Sequence, residues 1–301
     1  MTVALETRRT ASAADYIALL KPRVMSLVVF TGLVGYVAAP GAGNPVLGFA
    51  AILSIAIAAG ASGALNMWFD ADIDAVMTRT RARPIPSGRV ARDEALMLGL
   101  TLSALSVVTM QLAAGPWAAG MLAFTIFFYA VVYTMWLKRA TPQNIVIGGL
   151  AGALPPAIAW AAKTGALSLD AALLVAIIFF WTPPHFWALS LLQKDDYAAA
   201  SVPMLPVTHG ARATRRHIFA YALLLAPIGA TPFFTGLGGI LYGVLAALNG
   251  VVFVALALRV LRSHAGESDA AANKPARDLF GFSILYLFVL FAALLVEHLT
   301  S

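Results

Sequence analysis

Residues 46–74 read VLGFAAILSIAIAAGASGALNMWFDADID. The run from Val46 to Phe69 is apolar and long enough to cross a bilayer as a helix. It ends in three polar residues, Asn66, Asp70 and Asp74, spaced i, i+4 and i+8. If the helix continues, all three share one face. Carboxylates this close repel one another and favour a cation between them. They also sit at a helix C-terminus, where the macrodipole disfavours negative charge. A chain that places acids there binds something positive.

The rest of the chain has the same character. Of 301 residues, 60% are apolar and only 11% are charged, the composition of an integral membrane protein. Cysteine is absent, which excludes disulfides and thiolate metal sites. Apolar runs predict nine helices, near 23–39, 46–69, 95–113, 117–136, 143–161, 168–191, 215–234, 236–258 and 278–297. The splits near Gly115-Pro116 and Thr235-Gly236 rest on the turn residues alone. With the N-terminus inside, every Lys and Arg except Lys163 falls on the inner side. That asymmetry is a strong positive-inside signal. It accounts for the net charge of +6 without a nucleic-acid partner, and it places the C-terminus outside. The first residues carry Arg8 and Arg9 and have no apolar h-region, so they read as a cytoplasmic arm, not a signal peptide. The expected organisation is an arm over 1–22 and one transmembrane domain over 23–301 of an all-α, polytopic protein.

The inner face carries the chemistry. The loop after the second helix offers Asp70, Asp72 and Asp74, then Arg79, Arg81 and Arg83. The loop after the sixth offers Lys194, Asp195, Asp196 and Tyr197, then His209 and Arg212. Both loops are on one side and can meet above one bundle. Acids beside guanidinium groups suit a metal-bound polyphosphate: Mg²⁺ bridges carboxylates to phosphates, and arginine forks onto phosphate oxygens. No P-loop motif is present. A diphosphate at the end of a membrane bundle suggests a lipid substrate, with its head group at the interface and its tail among the helices. An allylic diphosphate could ionise there, sheltered from water.

The run Asn66, Asp70, Asp74, Met77, Arg79-Thr80 and Arg83 resembles the signature of the UbiA superfamily of intramembrane prenyltransferases. Further stretches are similar to its branch that farnesylates protohaem IX. These are Lys21-Pro22-Arg23, the run TPQNIVIGG from Thr141, Gly152-Ala153-Leu154-Pro155-Pro156, the run WTPPHFW from Trp181, Asp196-Tyr197 and Pro203-Met204-Leu205-Pro206. The resemblance covers the chain up to about residue 216. It implies nine helices around a central cavity and Mg²⁺-dependent transfer of a farnesyl group from farnesyl diphosphate to a haem vinyl group, in a bacterial plasma membrane. It assigns Asn66, Asp70 and Asp74 to the first metal motif and Asp196, with Asp195 close behind, to the second. Many members have a second D-x-x-x-D. Here Ala199 and Ala200 stand four residues beyond Asp195 and Asp196, so that loop has one carboxylate fewer in register.

Each residue also has a plainer reading. Arg79 and Arg83 are placed on the diphosphate by the signature, whereas ordinary inside-positive anchoring also accounts for them and is preferred for Arg81. Asp72 lies on the far side of the helix from Asp70. Lys138 and Arg139 suit either substrate or lipid head groups, and Lys194 either the acids or phosphate. Tyr197 is a candidate to orient the diphosphate. His185 is an intramembrane ionisable group and hence a functional candidate on the haem side, through iron, a propionate or a proton. The plainer alternative is that it satisfies carbonyls freed by a kink at Pro183-Pro184. Asn144 is weighed between substrate and a capping bond. Tyr129 and Tyr133 could face an allylic cation, Trp136 the interfacial belt. Gly148, Gly149 and Gly152 read as close helix packing, or as room for a flat macrocycle. Rival readings are the same fold with an aromatic-acid acceptor, and a cation-coupled transporter, against which the one-sided acids and the lack of an internal repeat argue.

Overall fold

The computed structural model describes residues 11–267 and 271–300, and every described element is a helix. Arg8 and Arg9 lie outside the described residues. In chain order the helices are α1 (Ala13–Leu19), α2 (Pro22–Ala38), α3 (Pro45–Phe69), α4 (Ala71–Val76) and α5 (Arg92–Phe127). A π-helical segment over Phe128–Leu137 leads into α6 (Lys138–Ala140). Then come α7 (Asn144–Ala153), α8 (Pro155–Thr164), α9 (Leu169–Leu192), α10 (Lys194–Ala199) and α11 (Leu205–Thr208). The last three are α12 (Gly210–Thr235), α13 (Ile240–Arg262) and α14 (Lys274–Thr300).

Seven helical stretches are long and apolar enough to cross a membrane, or eight if the bent pair α1–α2 is one span. One of the seven, Arg92–Ala140, is 49 residues long. At about 1.5 Å per residue it would run far beyond a hydrocarbon core of roughly 30 Å. It breaks where the sequence predicts: Gly115 has φ 80° and ψ −178°, a conformation open to glycine, and Pro116 follows. Divided there, the described residues supply nine passes. Gly236 closes α12 in the left-handed conformation, at the other predicted split. The chain is a multi-pass membrane protein, and its outer faces show the apolar side chains lipid requires, such as Leu112, Phe234 and Ile240.

Neighbours in sequence are neighbours in space. α2 meets α3, α3 meets α5, the π segment meets α7, α7 meets α9, and α9 meets α12. α12 then meets α13, α13 meets α14, and α14 returns to α2, closing a ring. α8 packs against α2, α3, α5 and α9, and every residue from Pro155 to Ala161 is buried. It fills one half of the ring, and the other half is left for the polar residues.

Three details differ from the expectation. The predicted fifth helix is two helices, α7 and α8, meeting at Leu154, where Pro155 and Pro156 supply no N–H. α9 runs continuously through Pro183 and Pro184, and the Thr182 hydroxyl donates to the Ile178 carbonyl at 2.8 Å. The arm is partly structured: Ser12 and Asp15 form a capping box, and α1 packs its buried Leu19 against Ala64 and Met67 of α3. Lys163 donates to the Ala39 carbonyl at 2.5 Å, at the C-terminal end of α2 where a cation is favoured.

Candidate active site

The face predicted from Asn66, Asp70 and Asp74 exists. α3 stops at Phe69 and α4 starts at Ala71, yet i+4 backbone bonds run through the junction, Asp70 N–H to Asn66 at 2.9 Å and Asp74 N–H to Asp70 at 2.8 Å. All three side chains are buried, Asp70 completely. A buried carboxylate demands partners, and each acid has them. The Asn66 amide donates to Asp70 Oδ2 at 2.8 Å and to Thr134 Oγ1 at 3.1 Å. Lys138 Nζ donates to the same Asp70 oxygen at 2.5 Å. Arg83 pairs with Asp74 at 2.7 Å, and Thr80 donates to the Asp74 carbonyl at 3.0 Å.

One oxygen is left over. Asp70 Oδ1 is buried without a hydrogen bond, and the Arg139 guanidinium stands 3.6 Å from it. Arg139 instead forks onto Asp72 through two bonds of 2.8 Å. Hydrogen bonding to Arg139 outweighs partial burial and holds the Asp72 carboxyl down to about 2. Asp72 is exposed and outside the buried set, as its position around the helix predicts.

The two inner loops meet. The backbone N–H groups of Thr78 and Arg79 donate to the two oxygens of Asp196 at 3.2 and 3.3 Å. Burial would raise that carboxyl, but these bonds keep it below its ordinary value. Tyr197 is buried against Ile73 and Met77; burial pushes its phenol up, and the nearby Arg79 guanidinium opposes the shift. Asp195 and Arg79 are exposed. Lys194 turns away from the first motif: its Nζ reaches the Gly266 carbonyl, in the connection that buried Arg215 also grips. Among the described residues, no three acidic or histidine side chains converge closely enough to share one ion. The donor set still suits a hard cation: two buried carboxylates, one of which has an unpartnered oxygen, and an amide oxygen.

Sequence reasoning missed two contributors. Lys21 was noted only as part of Lys21-Pro22-Arg23. Its Nζ donates to Asn66 Oδ1 at 2.6 Å, and its backbone is left-handed, with φ 54° and ψ 54°. The signal was Pro22, which bars the preceding residue from the ordinary helical region. The π-helical segment is the other. Its wider turn lets Thr134 donate to the Tyr129 carbonyl at 2.8 Å while accepting from Asn66, and it leads directly to Lys138. Tyr129 and Tyr133 of that segment pack at 5.4 Å. Gly148 leaves the space that the Tyr133 ring fills, Gly149 sits against Thr182, and Gly152 faces open space. Trp136 is exposed.

Deeper in the ring, His185 does not bind helix carbonyls. Its Nδ1 lies 2.6 Å from the hydroxyl of Ser283 on α14, and its ring is stacked between Trp181 and Phe280 at 4.3 and 4.7 Å. Asn144 is fully buried, donates to the Thr141 carbonyl at 2.6 Å, and keeps Oδ1 unpartnered.

Solved structures share the fold at 17% identity. One is described under digeranylgeranylglyceryl phosphate synthase in membranes (TM-score 0.77; 96% of this chain and 99% of that one). Another is a UbiA homolog from Archaeoglobus fulgidus bound to GPP and Mg²⁺ (TM-score 0.72; 93% and 99%). Proteins named protoheme IX farnesyltransferase are much nearer in sequence. That of Hyphomonas neptunium is 59% identical, covering 99% of this chain and 96% of its own. That of Azorhizobium caulinodans is 62% identical, covering 95% and 92%. The similarity thus continues past residue 216, where motif reading ended. The family model of the UbiA prenyltransferases matches residues 28–284, and the chain belongs to that family.

Proposed function

We propose that this chain transfers a farnesyl group from farnesyl diphosphate to a vinyl group of protohaem IX. The observation that carries the reading is the identity of 59% and 62%, over nearly the whole chain, with relatives named for that activity. The enzyme is a multi-pass protein of a bacterial plasma membrane. Its N-terminus is cytoplasmic, its C-terminus is outside, and its site lies at the cytoplasmic face.

Asp70, Asp74 and Asp196, helped by Asn66, would hold Mg²⁺, with exposed Asp195 at the edge of the set. When bound, the ion supplies Lewis-acid stabilisation of charge on the leaving diphosphate. The chain's own cations do the rest. Lys138, Arg83 and Arg79 donate to the diphosphate oxygens, where charge-assisted bonds are strongest, and Tyr197 orients the group. Lys21 adds a fourth positive charge on the same face. Tyr129 and Tyr133 present aromatic faces to the allylic cation. The packed half of the ring, filled by α8, excludes water from that side. Asn144, with its free amide oxygen, and His185 lie on the acceptor side, His185 through iron, a propionate or a proton. No side chain is needed as a nucleophile.

Competition between acceptors tests the reading. Purified protein with farnesyl diphosphate, protohaem IX and 4-hydroxybenzoate is expected to give only the farnesylated, hydrated haem by mass spectrometry. Prenylated benzoate with untouched haem would keep the fold and overturn the acceptor.

A further inference from the structure

His185 sits in a cage made by two helices. Trp181 and His185 project from one face of α9, four residues apart, and both reach Ser283 of α14. The Trp181 indole donates to the Ser283 carbonyl at 2.7 Å. The imidazole lies flat between Trp181 and Phe280, at interplanar angles of 18° and 23°, with Phe186 edge-on. Its plane is therefore fixed on both faces.

Its tautomer is fixed as well. The Ser283 hydroxyl has one proton and two close neighbours, His185 Nδ1 and the Phe280 carbonyl, each at 2.6 Å. A carbonyl accepts only, so the hydroxyl proton goes to Phe280. Both contacts are satisfied in one arrangement: Nδ1–H donates to Ser283, and Ser283 donates to Phe280. Nε2 then carries a lone pair and no proton, and among the described residues the ring's hydrogen bond is the one made by Nδ1. Among the described residues, no acid pairs with the ring to balance an imidazolium. A bare Nε2 cannot donate to a propionate. A neutral imidazole with one nitrogen anchored as a donor and the other bare is the arrangement of a metal ligand.

We infer that His185 Nε2 is an axial ligand to the iron of the haem acceptor, and that Ser283 is the positioning residue that fixes its tautomer. The inference rests on the proposed acceptor, and the test separates the two. Ferric protohaem is titrated into the purified protein and followed by absorption and EPR spectra, with the iron–histidine stretch read in the ferrous state. Wild type is expected to give a histidine-ligated spectrum. H185A should lose it, and added imidazole should restore it. S283A should still bind haem, with a displaced stretch and about tenfold weaker affinity, as for loss of an outer-shell partner; S283T should restore both. If H185A does not fold, H185Q is read in its place. A ligand spectrum unchanged without His185 would overturn the ligation while farnesyl transfer to haem stood. A stretch and affinity unchanged in S283A would overturn the positioning role. Wild type that binds no haem and prenylates another acceptor would remove the proposed function, and this inference with it.

Discussion

At the residue scale, the site is a set of buried acids neutralised by bases that have a second use. Asp70 is fully buried, holds Asn66 and Lys138 on one oxygen and leaves the other unpartnered. D70N removes the charge with little change in shape. It should insert and accumulate normally, and its turnover should fall by more than about two orders of magnitude, since metal-assisted charge stabilisation is worth several kcal/mol. Near-normal turnover would remove Asp70 from the site. The exposed Asp72–Arg139 pair behaves differently. The folded-state carboxyl is depressed from 3.8 to about 2, so its stabilisation is fully present above about pH 4 and is lost as pH falls towards 2. D72N should thus cost at most about 1 kcal/mol in thermal unfolding at neutral pH, because the pair is solvent-screened, with no pH trend between 5 and 8. A steep trend there would mean that Asp72 is coupled to the buried acids. Asn66, Asp70 and Asp74 were legible because a single helical period relates them, and Arg83 because it stands in the same short signature run. Lys21 and Ser283 were not, because their partners are 45 and 98 residues away in sequence and only the packed ring brings them together.

At the scale of elements, hydropathy found every span and turn residues found the breaks at Gly115 and Gly236. It did not find the π-helical turn, which leaves the apolar pattern of Phe128–Leu137 unchanged and shows itself only in backbone pairing. Nor did it find the division of α7 from α8, since an apolar run across Pro155-Pro156 looks the same broken or whole. Two glycines set how closely elements approach. A Cβ at Gly35 would strike the Pro156 backbone where α2 crosses α8, and one at Gly148 would strike the Tyr133 ring. G35A should lower stability by about 1–3 kcal/mol, through rigid overpacking, and should be seen as a lower unfolding temperature in detergent. G148A meets a side chain that can turn. It should unfold at close to the wild-type temperature while turnover falls, because the displaced ring belongs to the site. Equal losses of stability in both variants would make Gly148 a packing residue alone.

At the scale of the whole molecule, a closed ring stoppered in one half by α8 leaves one polar end, and nearly all charge collects there. The absence of cysteine makes the topology directly measurable. In right-side-out vesicles an impermeant maleimide should label L167C and T300C, both exposed, and spare R81C. Labelling of R81C together with T300C would put the two ends on one side and contradict nine passes. The fold was legible from composition and charge asymmetry, and the reaction class from one eighteen-residue run. The acceptor was legible only through resemblance, because the contacts of His185 and Trp181 are with α14, where sequence offered hydropathy alone. The most direct measurement is single-turnover farnesyl transfer to protohaem IX by purified wild type and D70N in nanodiscs, with Mg²⁺ or with EDTA. The account predicts farnesylated haem from wild type with Mg²⁺, none with EDTA, and almost none from D70N under either condition. Product from wild type in EDTA, or from D70N at the wild-type rate, would contradict it.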